Sequence, residues 1–182
     1  MQILILYATT EGQTLKIMRK TTKRLAEQGH GVELLDARDF TAEALTDRDA
    51  LIVGASIHMG KFQKRMRKAL TRAATALTGT PSLFLPVSLA AASDTEDDAQ
   101  ELDRIVTKFL AQTGWSPSQI QHIAGAFRFS KYDFMKSWAM RHIAEKRGLT
   151  LDYQSDTEFT DWPALDACVD SFVAALPEQS GR

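Results

Sequence analysis

Six residues, Thr9-Thr10-Glu11-Gly12-Gln13-Thr14, have the types and spacing of a cradle for an oxyanion. The hydroxyls of Thr9, Thr10 and Thr14 can donate hydrogen bonds, and Gly12 puts no Cβ in the way of a group approaching the backbone. A helix predicted to open at Gly12 adds free first-turn amides and the positive end of its dipole. The loop holds no Lys or Arg, which suits a phosphate monoester neutralised by amides and hydroxyls. Neither the GxxxxGK[ST] pattern of nucleoside-triphosphate loops nor the GxGxxG pattern of dinucleotide sites is present. Taken alone, the same residues also read as a helix N-cap centred on Thr10, with nothing bound.

The elements around the loop separate these readings. Gln2 to Ala8 is a near-continuous apolar run, as expected of a central parallel strand buried on both faces. A helix is predicted from Gly12 to about Gln28, with Leu15, Met18, Thr22 and Leu25 on one face. Further strands are predicted at Val32 to Asp36, Leu51 to Ser56, Pro81 to Val87 and Gln121 to Phe127. Helices are predicted at Lys61 to Leu77, Asp98 to Gln112, Tyr132 to Arg147 and Asp161 to Leu176. Strands alternating with helices mean βαβ units, and five strands in this rhythm fit a doubly wound α/β fold of order 2-1-3-4-5 with helices on both faces. In such a sheet ligands bind beyond the strand C-termini, where the threonine loop lies. The stretch from Arg128 to Glu158 is longer than a connection needs and reads as an insertion after strand five.

That insertion places Phe134, Met135, Trp138, Ala139, His142 and Ile143 on one helical face, ringed by Lys131, Lys136, Arg141, Lys146 and Arg147. A basic amphipathic helix with aromatic residues suits a membrane interface or a partner; the same face could equally pack on the sheet or on a second subunit, which leaves a homo-oligomer open. The run Lys61, Lys64, Arg65, Arg67, Lys68, Arg72 reads either as a solvated helix face or as a contact for an anionic partner. Asp94 to Asp103 reads as a solvated loop with an acidic helix start, which the dipole favours. His58 reads either as a contact to a ligand bound at the loop or a proton relay, or as a solvated loop residue; His30, His122 and His142 are given no catalytic role. No histidines sit at metal-ligand spacing beside a carboxylate, so no metal is expected. No acid, base or nucleophile stands out, so the catalytic residues are left unassigned.

Composition bounds the rest. The chain has 182 residues, 44% of them hydrophobic and 25% charged, with net charge −1: one domain, residues 1–177, with a loose tail at 178–182 and no bias toward nucleic acid. The single cysteine, Cys168, excludes an internal disulfide; it lies in a helical pattern and reads as core filler in a reduced, cytoplasmic setting. Met1-Gln2 runs straight into the first strand, so no secretory signal is expected. The apolar stretch around Leu83 to Ala92 is too short to span a bilayer, so any membrane association would be peripheral.

The Thr9–Thr14 loop, T-x-x-G-x-T, resembles the phosphate loop of flavodoxins, and the fold it implies is flavodoxin-like. Further segments resemble one branch, the flavodoxin-like protoporphyrinogen oxidases: Leu4-Ile5-Leu6-Tyr7, Glu11 to Thr14, Gly54-Ala55-Ser56-Ile57 followed by Gly60, and Lys108-Phe109-Leu110 with Trp115. Ile123-Ala124-Gly125-Ala126 and Thr160-Asp161-Trp162 complete the collinear set. The resemblance implies a non-covalent flavin mononucleotide (FMN) and oxidation of protoporphyrinogen IX, with electrons passed to menaquinone or ubiquinone at the inner face of the cell membrane. It implies that Thr9, Thr10, Glu11, Gly12, Gln13 and Thr14 hold the phosphate. Ser56, Ile57, His58, Met59, Gly60 and Lys61, with Ser88, Leu89, Ala90 and Ala91, would flank the isoalloxazine. The loop after Phe127 would close the site, and Arg128, Lys131, Lys136, Trp138 and Arg141 would meet substrate or membrane. The sequence departs from the family at His58-Met59, where Arg-Tyr is more usual, and in an acidic loop after strand four. Two other readings stay open: a flavodoxin electron carrier serving protein partners, and a flavin-free binding module.

Overall fold

The computed structural model describes residues 1–127 and 156–177. Strand β1 (Gln2–Ala8) leads through the threonine loop into helix α1 (Gln13–Glu27), then β2 (Gly31–Asp36), a 3₁₀ turn (Ala42–Leu45) and β3 (Ala50–Ser56). Next come α2 (Lys64–Arg72), β4 (Ser82–Ser88), a second 3₁₀ turn (Ala90–Ala92) and α3 (Glu96–Thr113). Short strands β5 (Gln119–Ile120), β6 (Ile123–Ala124), β7 (Ala126–Phe127) and β8 (Thr157–Glu158) precede α4 (Trp162–Ala174). The main sheet is parallel in the order β2-β1-β3-β4-β5, with β6 also on β4, as the rhythm of strands and helices predicts.

Side chains alternate across the buried strands and split the core in two. Leu4, Leu6 and Ala8 face α2 and α3, with Met66, Leu70, Phe84, Phe109 and Trp115. Ile3 and Ile5 face α1 and α4, with Ile17, Met18, Leu165, Val169 and Phe172. At Gly54 helix α1 comes so close that a Cβ would sit 2.6 Å from Met18 Sδ, which explains a glycine inside a central strand.

The predicted fifth strand, Gln121 to Phe127, is not one strand. It divides into β5 and β6, and Ala126–Phe127 leaves the sheet to pair antiparallel with Thr157–Glu158. Pro86 accounts for the division. The carbonyls of Phe84 and Ser88 both accept from this side, from Gln121 and Gly125 (both 2.9 Å), so position 86 also faces it, and proline has no N–H to offer. Helix α2 is shorter than predicted. His58 to Lys61 form a tight turn instead, and the stretch with Thr75, Thr78, Gly79 and Thr80 after Arg72 continues as turns, consistent with its poor helix formers.

The α1–α4 flank is joined by ion pairs: Lys20 with Asp166 (3.1 Å), and Arg24 with Asp170 (2.5 Å) and Asp166 (3.4 Å). The hydrogen bond from Arg24, with a second from Gln28, holds the Asp170 carboxyl down to about 2. A depressed carboxyl stabilises the fold above its unfolded value and stops doing so as pH falls through the folded one. Asp170→Asn should therefore lower the unfolding free energy at pH 7 by less than about 1 kcal/mol after solvent screening. The gap to the parent should close as pH falls from the ordinary aspartate range, about 4, toward the folded value. Urea titrations at neutral and acid pH check this.

Candidate functional site

The C-terminal ends of β1, β3 and β4 lie side by side, since Ala8 pairs with Ala55 and Ser56 with Val87. The loops at 9–14, 56–61 and 88–91 therefore leave the sheet along one edge. The N-cap of α1 is Gly12 at φ 100°, and no side chain caps the helix. The cap reading of Thr10 thus fails: its hydroxyl accepts from Gln63 Nε2 at 2.9 Å instead. Thr9 Oγ1 accepts from the Gly12 amide at 2.9 Å, which shapes the loop. Each of these hydroxyls keeps its proton to donate.

The first turn of α1 is left open on its ligand side. Lys16 is the first residue whose amide bonds back into the helix, to the Gly12 carbonyl at 3.0 Å. Thr14 is 1% exposed, and its hydroxyl has no protein partner. A Cβ built on Gly12 meets nothing within 4 Å, so the space in front of the loop is empty of protein. An uncapped helix start, an unpartnered buried hydroxyl and a glycine facing open space are what a phosphate monoester needs.

The wall opposite is the turn from His58 to Lys61. Met59 (φ 49°) and Gly60 (φ 70°) take the left-handed conformation, and the His58 and Lys61 backbones exchange hydrogen bonds of 2.9 and 3.1 Å. This is a type I′ turn, with glycine at home in its second central position and methionine strained in the first. His58 Nδ1 lies 3.7 Å from Glu11 Oε1, which links the turn to the phosphate loop. Beyond β4, Ser88 Oγ accepts from the Ala91 amide at 3.1 Å, and Leu89 leads into the Ala90–Ala92 turn.

Sequence reasoning missed three residues that brace the loop. Arg65 Nη2 donates to the Thr9 carbonyl at 2.7 Å, and its Nε lies 3.5 Å from Asp36. Gln63 ties Thr10 to Ser56. Glu158 accepts from Gln13 Nε2 (2.9 Å), Lys16 Nζ (2.5 Å) and Trp162 Nε1 (2.8 Å). Burial would raise the Glu158 carboxyl, but the bonds from Lys16, Gln13 and Trp162 outweigh it and hold it below the ordinary range. Gln13 also donates to Thr160 at 3.0 Å, so its amide serves the return strand after the insertion. In sequence only Arg65 carried a signal, its place in the basic run. Arg128, Lys131, Lys136, Trp138 and Arg141, with the loop expected to close the site, lie outside the described residues. Among the described residues no group of His, Cys, Asp or Glu could hold a metal ion, and no helix is long and apolar enough to cross a membrane.

Comparison with known proteins agrees with this geometry. The flavodoxin domain family matches residues 4–153. The chain is 30% identical over 175 residues to the protoporphyrinogen IX dehydrogenase [quinone] of Leishmania major, covering 96% of this chain and 75% of that protein. It is 28% identical over 162 residues to the protein of the same name from Escherichia coli strain K12, covering 89% of each. Among solved structures, oxidised flavodoxin 1 from Bacillus cereus superposes with a TM-score of 0.56 at 14% identity, over 97% of this chain and 100% of that one, a likeness of fold. The chain belongs to the flavodoxin domain family, with FMN as its cofactor, in the branch of the protoporphyrinogen IX dehydrogenases.

Proposed function

We propose that this protein oxidises protoporphyrinogen IX to protoporphyrin IX in haem biosynthesis and passes the electrons to a membrane quinone, menaquinone or ubiquinone. The observation that carries the reading is the open start of α1, where Gly12 and the unpartnered Thr14 hydroxyl fit the FMN phosphate. The names of the relatives supply the substrate and the acceptor. Bound there, FMN supplies the two-electron chemistry. The chain's own residues do the rest. Gly12, Thr14 and the first-turn amides hold the phosphate, with the hydroxyls of Thr9 and Thr10 free to donate. Glu11 and Gln13 shape that loop, each through a partner outside it. Ser56, Ile57, His58, Met59, Gly60 and Lys61 form one wall beside the ring, and Ser88, Leu89, Ala90 and Ala91 form the other. Arg65 and Gln63 tie the first of these loops to the start of α2 and to Ser56. Arg128, Lys131, Lys136, Trp138 and Arg141 of the insertion offer cationic and aromatic contacts to the substrate propionates or the membrane surface. The whole of residues 1–177 acts as one unit, at the cytoplasmic face of the membrane.

The test is direct. The purified protein should carry a flavin spectrum, and porphyrin fluorescence should rise when protoporphyrinogen and a quinone are supplied. A menaquinone analogue should reoxidise the reduced protein much faster than air does. No porphyrin formation, with rapid electron exchange only toward a protein such as a cytochrome, would return the electron-carrier reading.

A further inference from the structure

The two flanks of the sheet treat their cations differently. On α1, Lys16, Lys20, Lys23 and Arg24 each meet a carboxylate, of Glu158, Asp166, Glu27 or Asp170, and Arg19 alone meets none among the described residues. On α2, Lys64, Arg67, Lys68 and Arg72 have no carboxylate partner among the described residues, and all are exposed. Their one polar side-chain contact among the described residues is Arg67 Nη1 with Gln112 Oε1 at 3.5 Å. Lys64, Lys68 and Arg72 recur at every fourth residue, so they form one stripe along the helix, about 12 Å long. Lys108, one turn before Gln112 on α3, continues the field, and the nearest acid of that stripe, Glu101, is taken by Arg104 at 3.0 Å. A depression between the helices is lined by Arg67, Lys68, Thr71, Arg72 and Gln112: three cations, a hydroxyl and an amide.

We propose that the outer face of α2 is a docking surface for an anionic lipid bilayer. Charge complementarity selects the occupant: a one-signed, lysine-containing field matches a layer of phosphate headgroups, whereas protein interfaces are depleted in lysine and built on a larger apolar centre. The depression at Arg67, Lys68, Thr71 and Arg72 takes a headgroup phosphate. The proposal gives the membrane contact of the quinone reading a place on the fold and rests on that reading for its purpose, because the surface runs up to the loops at the flavin edge. It does not use the insertion.

The experiment is co-sedimentation of the FMN-loaded protein with phosphatidylcholine vesicles, with and without phosphatidylglycerol. The parent should bind only the anionic vesicles, and less at high salt. Lys64→Glu with Lys68→Glu and Arg72→Glu should weaken that binding about 100-fold, since each cation near an anionic surface counts for about fivefold. FMN content and turnover with a soluble quinone analogue should not change, so failed docking and failed chemistry are told apart. A triple variant that sediments like the parent overturns the proposal. So does a parent indifferent to phosphatidylglycerol, or a loss of binding confined to Lys136→Glu with Arg141→Glu in the insertion.

Discussion

Gly12→Val is expected to purify folded and without FMN. Two physical effects act in the same direction. The backbone at position 12 has φ 100°, a conformation that costs any side chain and costs a β-branched one most. The valine would also stand in the empty space where the phosphate reaches the first-turn amides. No protein atom lies within 4 Å of a Cβ built there, so the conflict is with the ligand and the local backbone and not with the core. Losing two or three charge-assisted hydrogen bonds at about 1.5–3 kcal/mol each gives a fall in FMN affinity of about 100-fold or more. The measurements are flavin content after gel filtration, FMN titration by fluorescence quenching, and the urea midpoint as a check on the fold. Stoichiometric FMN in a folded variant would place the phosphate elsewhere.

Much of this arrangement is readable in the sequence because it rests on local rules. The apolar run Ile3 to Leu6 needs two covered faces, and the structure gives those four residues zero exposure. Alternation of strands and helices then fits a doubly wound sheet, and the threonine loop falls at a strand C-terminus by topology alone. What was not legible depends on neighbours. Pro86 is visible in the sequence, but it splits the fifth strand only because its N side faces that strand and not β3. Gln63 and Arg65 lie more than fifty residues from the loop they brace and belong to no motif. Thr10 looks like a cap, and becomes a tie to α2 only because Gln63 arrives beside it. Glu158 reaches Gln13 and Lys16 because β8 returns beside β7, a pairing of two-residue strands with no periodic signal.

Thr14→Val separates a cofactor contact from a structural one, because the two roles predict opposite signs. Thr14 is buried at the start of α1, and its hydroxyl is unsatisfied by protein. In the FMN-free protein such a group costs about 1–3 kcal/mol, and replacing it with a methyl of nearly the same shape removes the cost. The apo urea midpoint should therefore rise. If the hydroxyl donates to the FMN phosphate, the same change should weaken FMN binding about 10- to 100-fold, the worth of one hydrogen bond to a charged group. Thr21 supplies the control. It lies on α1 about two turns further on, is also 1% exposed, and its hydroxyl is also without a partner. Thr21→Val should stabilise the apo protein as Thr14→Val does and leave FMN affinity alone, since it is far from the helix start. Equilibrium unfolding of the apo proteins and FMN titration of each give both signs. If Thr14→Val binds FMN like the parent, the orphaned hydroxyl is only a packing defect, and the open helix start loses the side chain that most directly marks it as a phosphate site.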